Sequence, residues 1–314
     1  MVDVLTLGEA MAALRSPQPV RHGASLGVSI AGAESNVAIG LARLGHKVRW
    51  AGVLGQDRFG DLVLHTLRAE GVDTDLVRRS SAPTGIVLFE QRLAGVCRVD
   101  YHRASSAGSE LRPADVDTAF DRAPRVLHVT GVTLALGAGP RGAVTRAVRL
   151  AREGGTIVCL DINDRRRLWT REAAKSALDA LVSEVDIVIA SDDELRLLAT
   201  GPGADERLLL ESLRARGVKE VVVKHGEKGA TLHLSGRQIH QPARPVTAVD
   251  TVGAGDAFVA GYLSGLLDGL TREDQLHRAV TLGAFAVATE GDWEGLPHCE
   301  ELDLLDATPG ERLR

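Results

Sequence analysis

Short β-rich runs recur along this 314-residue chain with amphipathic segments between most of them, and that alternation constrains the fold more than any other feature. The runs are Val2–Leu7, Val48–Val53, Val126–Thr130, Thr156–Leu160, Asp186–Ala190 and Glu220–Lys224. Between them, Asn36–Leu44 carries Val37, Leu41 and Leu44 at helical spacing and stops at Gly45. Pro140 opens a second helix, striped by Val144, Val148 and Ala151 and ended by Gly154; Leu209 and Leu213 do the same before Gly217. Ala257–Leu267 and Ala279–Thr289 read as buried helices, too short to span a membrane. The alternation predicts an α/β fold, a mostly parallel sheet covered by helices on both faces.

Two stretches break the pattern. Residues from about Met11 to Ile30 are strand-like and loop-like, and Thr84–Gln91 with Val96–Arg103 reads as a hairpin turning at Leu93-Ala94-Gly95. With no helices to cover them, segments from about 11–30 and 84–104 predict a small accessory β-sheet on one principal domain spanning 1–314. A sheet face of that kind closes over a ligand or pairs with another subunit.

Composition sets the class. Charges sum to 37 − 42 = −5, so the chain lacks the basic footprint of a nucleic-acid binder. Aromatics make up 3%, which leaves Leu, Val, Ile and Ala to build the core. The 34 glycines, about 11% against ~7% in ordinary proteins, point to tight turns or close backbone approach to a ligand. Met1–Glu9 has no basic segment of a secretory signal, and three distant cysteines, Cys97, Cys159 and Cys299, argue against a disulfide framework. Cys97 and Cys159 sit in apolar runs and read as core residues. A reducing, cytoplasmic setting is expected, with no membrane partner. None of the ten histidines has metal-ligand spacing.

In open α/β sheets ligands sit beyond the carboxyl ends of the strands. The residues there include Gly8-Glu9, Gly131, Asp161-Ile162-Asn163-Asp164-Arg165, Ser191–Glu194 and Lys224-His225-Gly226. The sharpest signal lies further on, at Asp250-Thr251-Val252-Gly253-Ala254-Gly255-Asp256-Ala257-Phe258. Gly253, Ala254 and Gly255 are small enough for backbone N–H groups to converge on an anion, and Phe258, Tyr262 and Leu266 mark a following helix. A helix N-terminus carries roughly +0.5 charge and suits a phosphate. Asp256 in that first turn can accept a proton from a hydroxyl during phosphoryl transfer, and the electropositive helix end is expected to keep it ionised. The same residues also read as a plain Gly-rich turn with Asp256 as a helix-end charge. A dinucleotide fingerprint fails, because Phe258 replaces the third glycine.

Asp250–Phe258 resembles the C-terminal signature of the pfkB (ribokinase-like) family of carbohydrate kinases, and the likeness runs along nearly the whole chain. Gly32-Ala33-Glu34-Ser35-Asn36-Val37-Ala38 with Leu41–Gly45 is similar to the family's sugar-binding motif, Val53–Gly60 to its V-G-x-D-x-x-G segment, and Lys224–Gly229 to its K-x-G-x-x-G. The resemblance implies a three-layer α/β/α domain with a β-sheet lid, and ATP with Mg²⁺ as cofactors, leaving room for a monovalent cation. It implies Asp256 as catalytic base, with the amides of Gly253, Ala254, Gly255 and Asp256 as the anion hole. Gly32 and Asn36 would contact the sugar. Ser191 and Glu194 occupy the N-x-x-E position, Ser replacing Asn, with Glu194 reaching the metal through water and no direct metal ligand assigned. Lys224, Gly226, Gly229 and Thr251, together with Gly253 and Gly255, would line the nucleotide side. Homodimerisation through the lid is a further implication.

Three segments resemble the 2-keto-3-deoxygluconate kinase branch: Tyr101–Ala107 as its lid strand, Asp161–Arg165 closing with Leu168-Trp169, and Gly291-Asp292-Trp293-Glu294-Gly295. Tyr101, Arg103, Arg165 and Asp292 thereby become substrate contacts. Two guanidinium groups converging on a carboxylate suit an acid sugar, and neutral sugars such as ribose or fructose have no need of them. Arg166 and Arg167 read as solvated charge, and His102 points to the face opposite Tyr101 and Arg103. Val87 stands where the branch often has a tyrosine, and Asp164 where a bulky residue is common. The expectation is ATP-dependent phosphorylation of a primary hydroxyl on an acid sugar, 2-keto-3-deoxygluconate foremost. A neutral-sugar kinase and a non-catalytic sugar- or nucleotide-binding protein are the alternatives.

Overall fold

A computed structural model describes residues 2–306, apart from 94, 95, 122 and 200–204. The described residues form thirteen strands in two sheets. In chain order they are β1 (Val4–Leu7), β2 (Met11–Ser16), β3 (Gly27–Ala31), β4 (Val48–Gly55), β5 (Val77–Ser80), β6 (Ile86–Leu93), β7 (Val96–His102), β8 (Val126–Thr130), β9 (Ile157–Asp161), β10 (Ile187–Ser191), β11 (Glu220–Lys224), β12 (Ala230–Leu234) and β13 (Arg237–Gln241).

The large sheet has the order β13-β12-β11-β10-β9-β8-β1-β4-β5 and is parallel from β11 through to β5. Its strands are buried on both faces because alternate side chains feed two separate cores. Val4, Trp50, Val126, Ile187 and Val222 pack against the helices Ala33–Arg43, Ala254–Leu267 and Arg272–Val287. Leu5, Ala51, Leu127, Val188 and Val221 pack against Ala138–Glu153, Arg171–Leu181 and Glu206–Ala215. This is the three-layer α/β/α arrangement that the alternation predicts. β12 and β13 extend the sheet antiparallel, a ribbon whose polar His233, Arg237 and His240 hide it from a pattern search. β5, with the sequence Val-Arg-Arg-Ser, is hidden for the same reason.

The smaller sheet has the order β3-β2-β6-β7, built from the two segments that break the pattern. β6 and β7 form the expected hairpin; Ala94 and Gly95 of its turn lie outside the described residues. Val87 pairs with Ala13 on one side and Tyr101 on the other, and Phe89 with Arg15 and Val99, so these odd-numbered side chains share one face. On it Met11, Ala13, Ala31, Val87 and Phe89 form a small core. Asp57, in the V-G-x-D-x-x-G segment, anchors the root of this sheet. Its carboxylate caps the helix Arg58–Ala69 through Gly60 N–H at 2.7 Å and accepts from Thr84 N–H at 2.8 Å.

Some expectations are corrected. The first helix starts at Ala33 rather than Asn36, since Gly32 precedes it and Glu34 suits the positive first turn. Cys97 is exposed, not core, because β7 is an edge strand with few neighbours; Cys159 on central β9 is buried as expected. Arg167 does more than face solvent: its Nη1 donates to the Val99 carbonyl on β7 at 2.9 Å.

Candidate active site

The floor of the site is the N-terminus of the helix Ala254–Leu267. Gly253 precedes it in the left-handed region, φ +76°, and a Cβ there would lie 2.0 Å from the Asp292 carbonyl oxygen. Only glycine meets both demands, and the first-turn amides are left without helical acceptors. Gly255 keeps the approach open, with Lys224 Nζ 3.6 Å from where its Cβ would be.

Asp256 projects from this turn and is 6% exposed. Asn36 Nδ2 donates to its Oδ2 at 2.8 Å and Asn163 Nδ2 to its Oδ1 at 3.2 Å. Burial raises the Asp256 pKa, opposed by the Arg165 charge, the Asn36 hydrogen bond, Lys224 and Asn163. The helix end is therefore not the whole account of its ionisation: removal from water raises the pKa, and side chains from three other segments push back. Behind it, Lys224 Nζ donates to Asp161 Oδ1 at 3.0 Å. Burial works against the Lys224 charge, but Asp161, Glu194 and Asp256 outweigh it and raise its pKa. Burial lifts Asp161 to about 6.

A cavity over this floor brings together all seven predicted sugar contacts. Gly32, Asn36, Gly253 and Asp256 line it from below, Tyr101 and Arg103 from the smaller sheet, and Arg165 and Asp292 from the sides. Val87, directly opposite Tyr101, presents an apolar surface there. Arg165 is exposed and has no carboxylate partner among the described residues. Arg103 forms a buried ion pair with Glu9, whose other oxygen accepts from Ser106 Oγ. The Arg103 Nε and Nη2 still lack a well-aligned acceptor, as Asn36 Oδ1 lacks a donor, so the cavity walls retain unused hydrogen-bonding capacity. A larger cavity of about 550 Å³ opens at the amino ends of β1 and β4, beside Lys47, Arg49 and Asp73, and contains none of these residues.

Apart from Gly253, the residues expected on the nucleotide side lie outside the cavity that holds Asp256. Ser191 and Lys224 are directly paired in register at the ends of β10 and β11. Ser191 and Glu194 form a capping box, with Ser191 N–H donating to Glu194 Oε2 at 2.7 Å; Asp164 N–H donates to Oε1 at 3.0 Å. Asp164 in turn accepts from Trp169 Nε1 at 2.8 Å. Gly226 and Gly229 turn the chain from β11 to β12, and a Cβ on Gly229 would meet the Gln241 carbonyl at 2.0 Å. Thr251 is exposed in the loop before Gly253. An ammonium beside a glycine cradle at a helix N-terminus fits a polyphosphate. Among the described residues no cluster of three or more His, Cys, Asp or Glu forms a metal cage. Mg²⁺ bound largely by phosphates and water requires none.

Glu9, Arg15 and Asn163 contact predicted site residues, and the sequence leaves them without a role. Glu9 follows β1, where the strand order turns from β4 to β8, and that position was its only signal. Asn163 sits in a left-handed backbone conformation, φ +35°, which aims its amide at both Asp161 and Asp256.

The 2-dehydro-3-deoxygluconokinase of Bacillus subtilis strain 168 is 34% identical over 307 residues, covering 96% of this chain and 94% of its own. The 2-dehydro-3-deoxygalactonokinase of Haloferax volcanii is 31% identical, covering 98% and 95%. An E. coli protein provisionally described as a ribokinase II, crystallised in complex with ATP and Mg²⁺, superposes with a TM-score of 0.89 at 25% identity, covering 98% and 99%. With the model of the pfkB family carbohydrate kinases matching residues 1–299, the chain belongs to that family.

Proposed function

We propose that this chain is an ATP-dependent kinase of a 2-keto-3-deoxy acid sugar, foremost 2-keto-3-deoxygluconate (2-dehydro-3-deoxygluconate), acting on its primary hydroxyl. The observation that carries this reading is that Arg103 and Arg165 line one cavity with Asp256. Two guanidinium groups suit the carboxylate of an acid sugar, and Asp256 is the proton acceptor nearest the anion hole. The names of the Bacillus and Haloferax relatives point to the same substrate class.

In this reading Asn36 and Asn163 hold the Asp256 carboxylate while it takes the hydroxyl proton. The amides of Gly253, Ala254, Gly255 and Asp256, with Lys224, stabilise the charge on the phosphoryl group in transfer. Gly32 and Asp292 hold sugar hydroxyls, and Tyr101 covers the ring. Ser191, Glu194, Gly226, Gly229 and Thr251 surround the nucleotide, with Glu194 orienting water. Mg²⁺, when bound with the nucleotide, neutralises phosphate charge. The smaller sheet is the lid of a single kinase domain, and its closure keeps water from the phosphoryl group. Val28 and Val96, exposed on its other face, support homodimerisation through the lid. The reaction belongs in the cytoplasm, where ATP is available; among the described residues no helix is long and apolar enough to cross a membrane.

The test is ATP consumption with Mg²⁺, with and without K⁺, on 2-keto-3-deoxygluconate, its galacto epimer, fructose, ribose and no sugar. Turnover confined to the acid sugars is the expected result. Preference for fructose or ribose would keep the kinase and sink the arginine clamp. Nucleotide binding without turnover on any sugar would favour a binding protein. Light scattering decides the dimer.

A further inference from the structure

We propose that Arg15, on lid strand β2, is a positioning residue that ties the lid to both walls of the anion hole through Asp250 and Asp292. The inference rests on the site assignment proposed above. Arg15 Nη1 donates to Asp250 Oδ2 at 3.1 Å, and its Nη2 to Asp292 Oδ1 at 2.7 Å. Those carboxylates come from two separate segments, the loop before the helix Ala254–Leu267 and the turn at Gly291–Gly295. The guanidinium lies over the Phe89 ring, 4.2 Å from its centroid, so the lid core fixes its direction.

Each aspartate touches the border of the anion hole. Asp250 Oδ1 accepts from Val252 N–H at 3.1 Å, and its Oδ2 faces Gly291 N–H at 3.4 Å. The Asp292 backbone carbonyl is the atom that forces position 253 to be glycine. One planar cation with two donor edges thereby sets the spacing of two loops, a task a lysine ammonium cannot reproduce. The same edge of the smaller sheet is fastened by Ser29 to Glu294 and by Trp293 Nε1 to the Ile30 carbonyl at 3.2 Å.

Arg15 also balances charge. Burial pushes Asp292 up to about 7 although Arg15 pulls it down; Glu294, Asp256 and Asp250 push in the same direction as burial. Without Arg15 those four carboxylates would face an incoming phosphate with less compensation. Asp292 would then hold its proton to higher pH and lose its acceptor strength toward a sugar hydroxyl.

The experiment compares wild type, Arg15→Met and Arg15→Lys in kcat and in KM for sugar and ATP between pH 5.5 and 8.5, with thermal unfolding as a folding control. Arg15→Met is expected to lose about 30-fold or more in kcat/KM for the sugar at pH 7. Its acid limb should move up by about one pH unit. The ATP KM should change little, and Arg15→Lys should recover the pH profile but only part of the rate. In an Asp292→Asn background, Arg15→Met should move the acid limb no further. A folded Arg15→Met with the wild-type rate and pH profile overturns the inference alone. A uniform loss at every pH, with sugar and ATP affected alike, overturns it too by reducing Arg15 to a packing residue. A wild type silent on every sugar overturns the function reading, and the inference falls with it.

Discussion

At Asp256 burial and charge oppose each other. Burial lifts its pKa, while Arg165, Asn36, Lys224 and Asn163 pull it back. The acid limb of kcat/KM should therefore lie above the range of an ordinary aspartate near 4, and a pH–rate profile measures it. Asp256→Asn removes the proposed proton acceptor; turnover should fall by at least ~100-fold while ATP binding, followed by calorimetry, stays nearly unchanged. An active Asn variant would refute the assignment. Arg165 forms no ion pair among the described residues and acts on Asp256 only as a nearby charge, so Arg165→Met should raise the KM for an acid sugar by about 30-fold and leave stability nearly unchanged. Arg103→Met should behave differently. It strands the buried Glu9 without its cation, so weaker sugar binding should come with a loss of about 3 kcal/mol in stability, read by urea unfolding. Asp256 was legible in the sequence as chemistry, and Arg103 and Arg165 through the family resemblance. Glu9 was not, because nothing local in Leu7-Gly8-Glu9-Ala10 says that a guanidinium from the residue just after β7 pairs with it.

At the scale of elements, two glycine-dependent contacts build the site. Gly253 lets the helix Ala254–Leu267 begin against the Asp292 carbonyl. Gly253→Ala would add strain at a positive φ and a clash at 2.0 Å, displacing the anion-hole amides. A drop in kcat of about 100-fold with near-native circular dichroism is expected. Further along, a Cβ at Gly261 would lie 2.7 Å from the Arg278 carbonyl, where the helix packs on Arg272–Val287. Gly261→Ala should cost about 1–3 kcal/mol by overpacking, measured by urea unfolding. Strand positions were largely legible: Val126–Thr130 and Glu220–Lys224 emerged with the expected bounds, because continuous apolar runs between turns leave few alternatives. β5 and β13 were not, since edge strands keep polar side chains and take their identity from a neighbour.

For the whole molecule, buried titratable groups set opposite dependences of stability on pH. Glu34 is fully buried between Thr130 and Thr133, and burial raises it from 4.5 to about 7. A raised folded pKa gives stability that is present below the unfolded value and lost as pH rises toward 7. Glu34→Gln should therefore gain on wild type between pH 4.5 and 7, by about 3 kcal/mol at most, read as a crossing of their melting temperatures. His128 works the other way. Burial lowers it from 6.5 to about 3, so its stability is present above 6.5 and lost as pH falls toward 3. The sequence by itself determined the layered α/β class, the accessory sheet and the Gly253–Asp256 turn, because these depend on periodicity and backbone freedom, which are local. Only the tertiary structure decided that Arg103 pairs with Glu9, that Arg15 spans Asp250 and Asp292, and that Asn36 and Asn163 meet on Asp256. Those partners stand 93 to 277 positions apart along the chain. Charge and hydrogen bonding act through space, and a sequence pattern carries no distance across the fold.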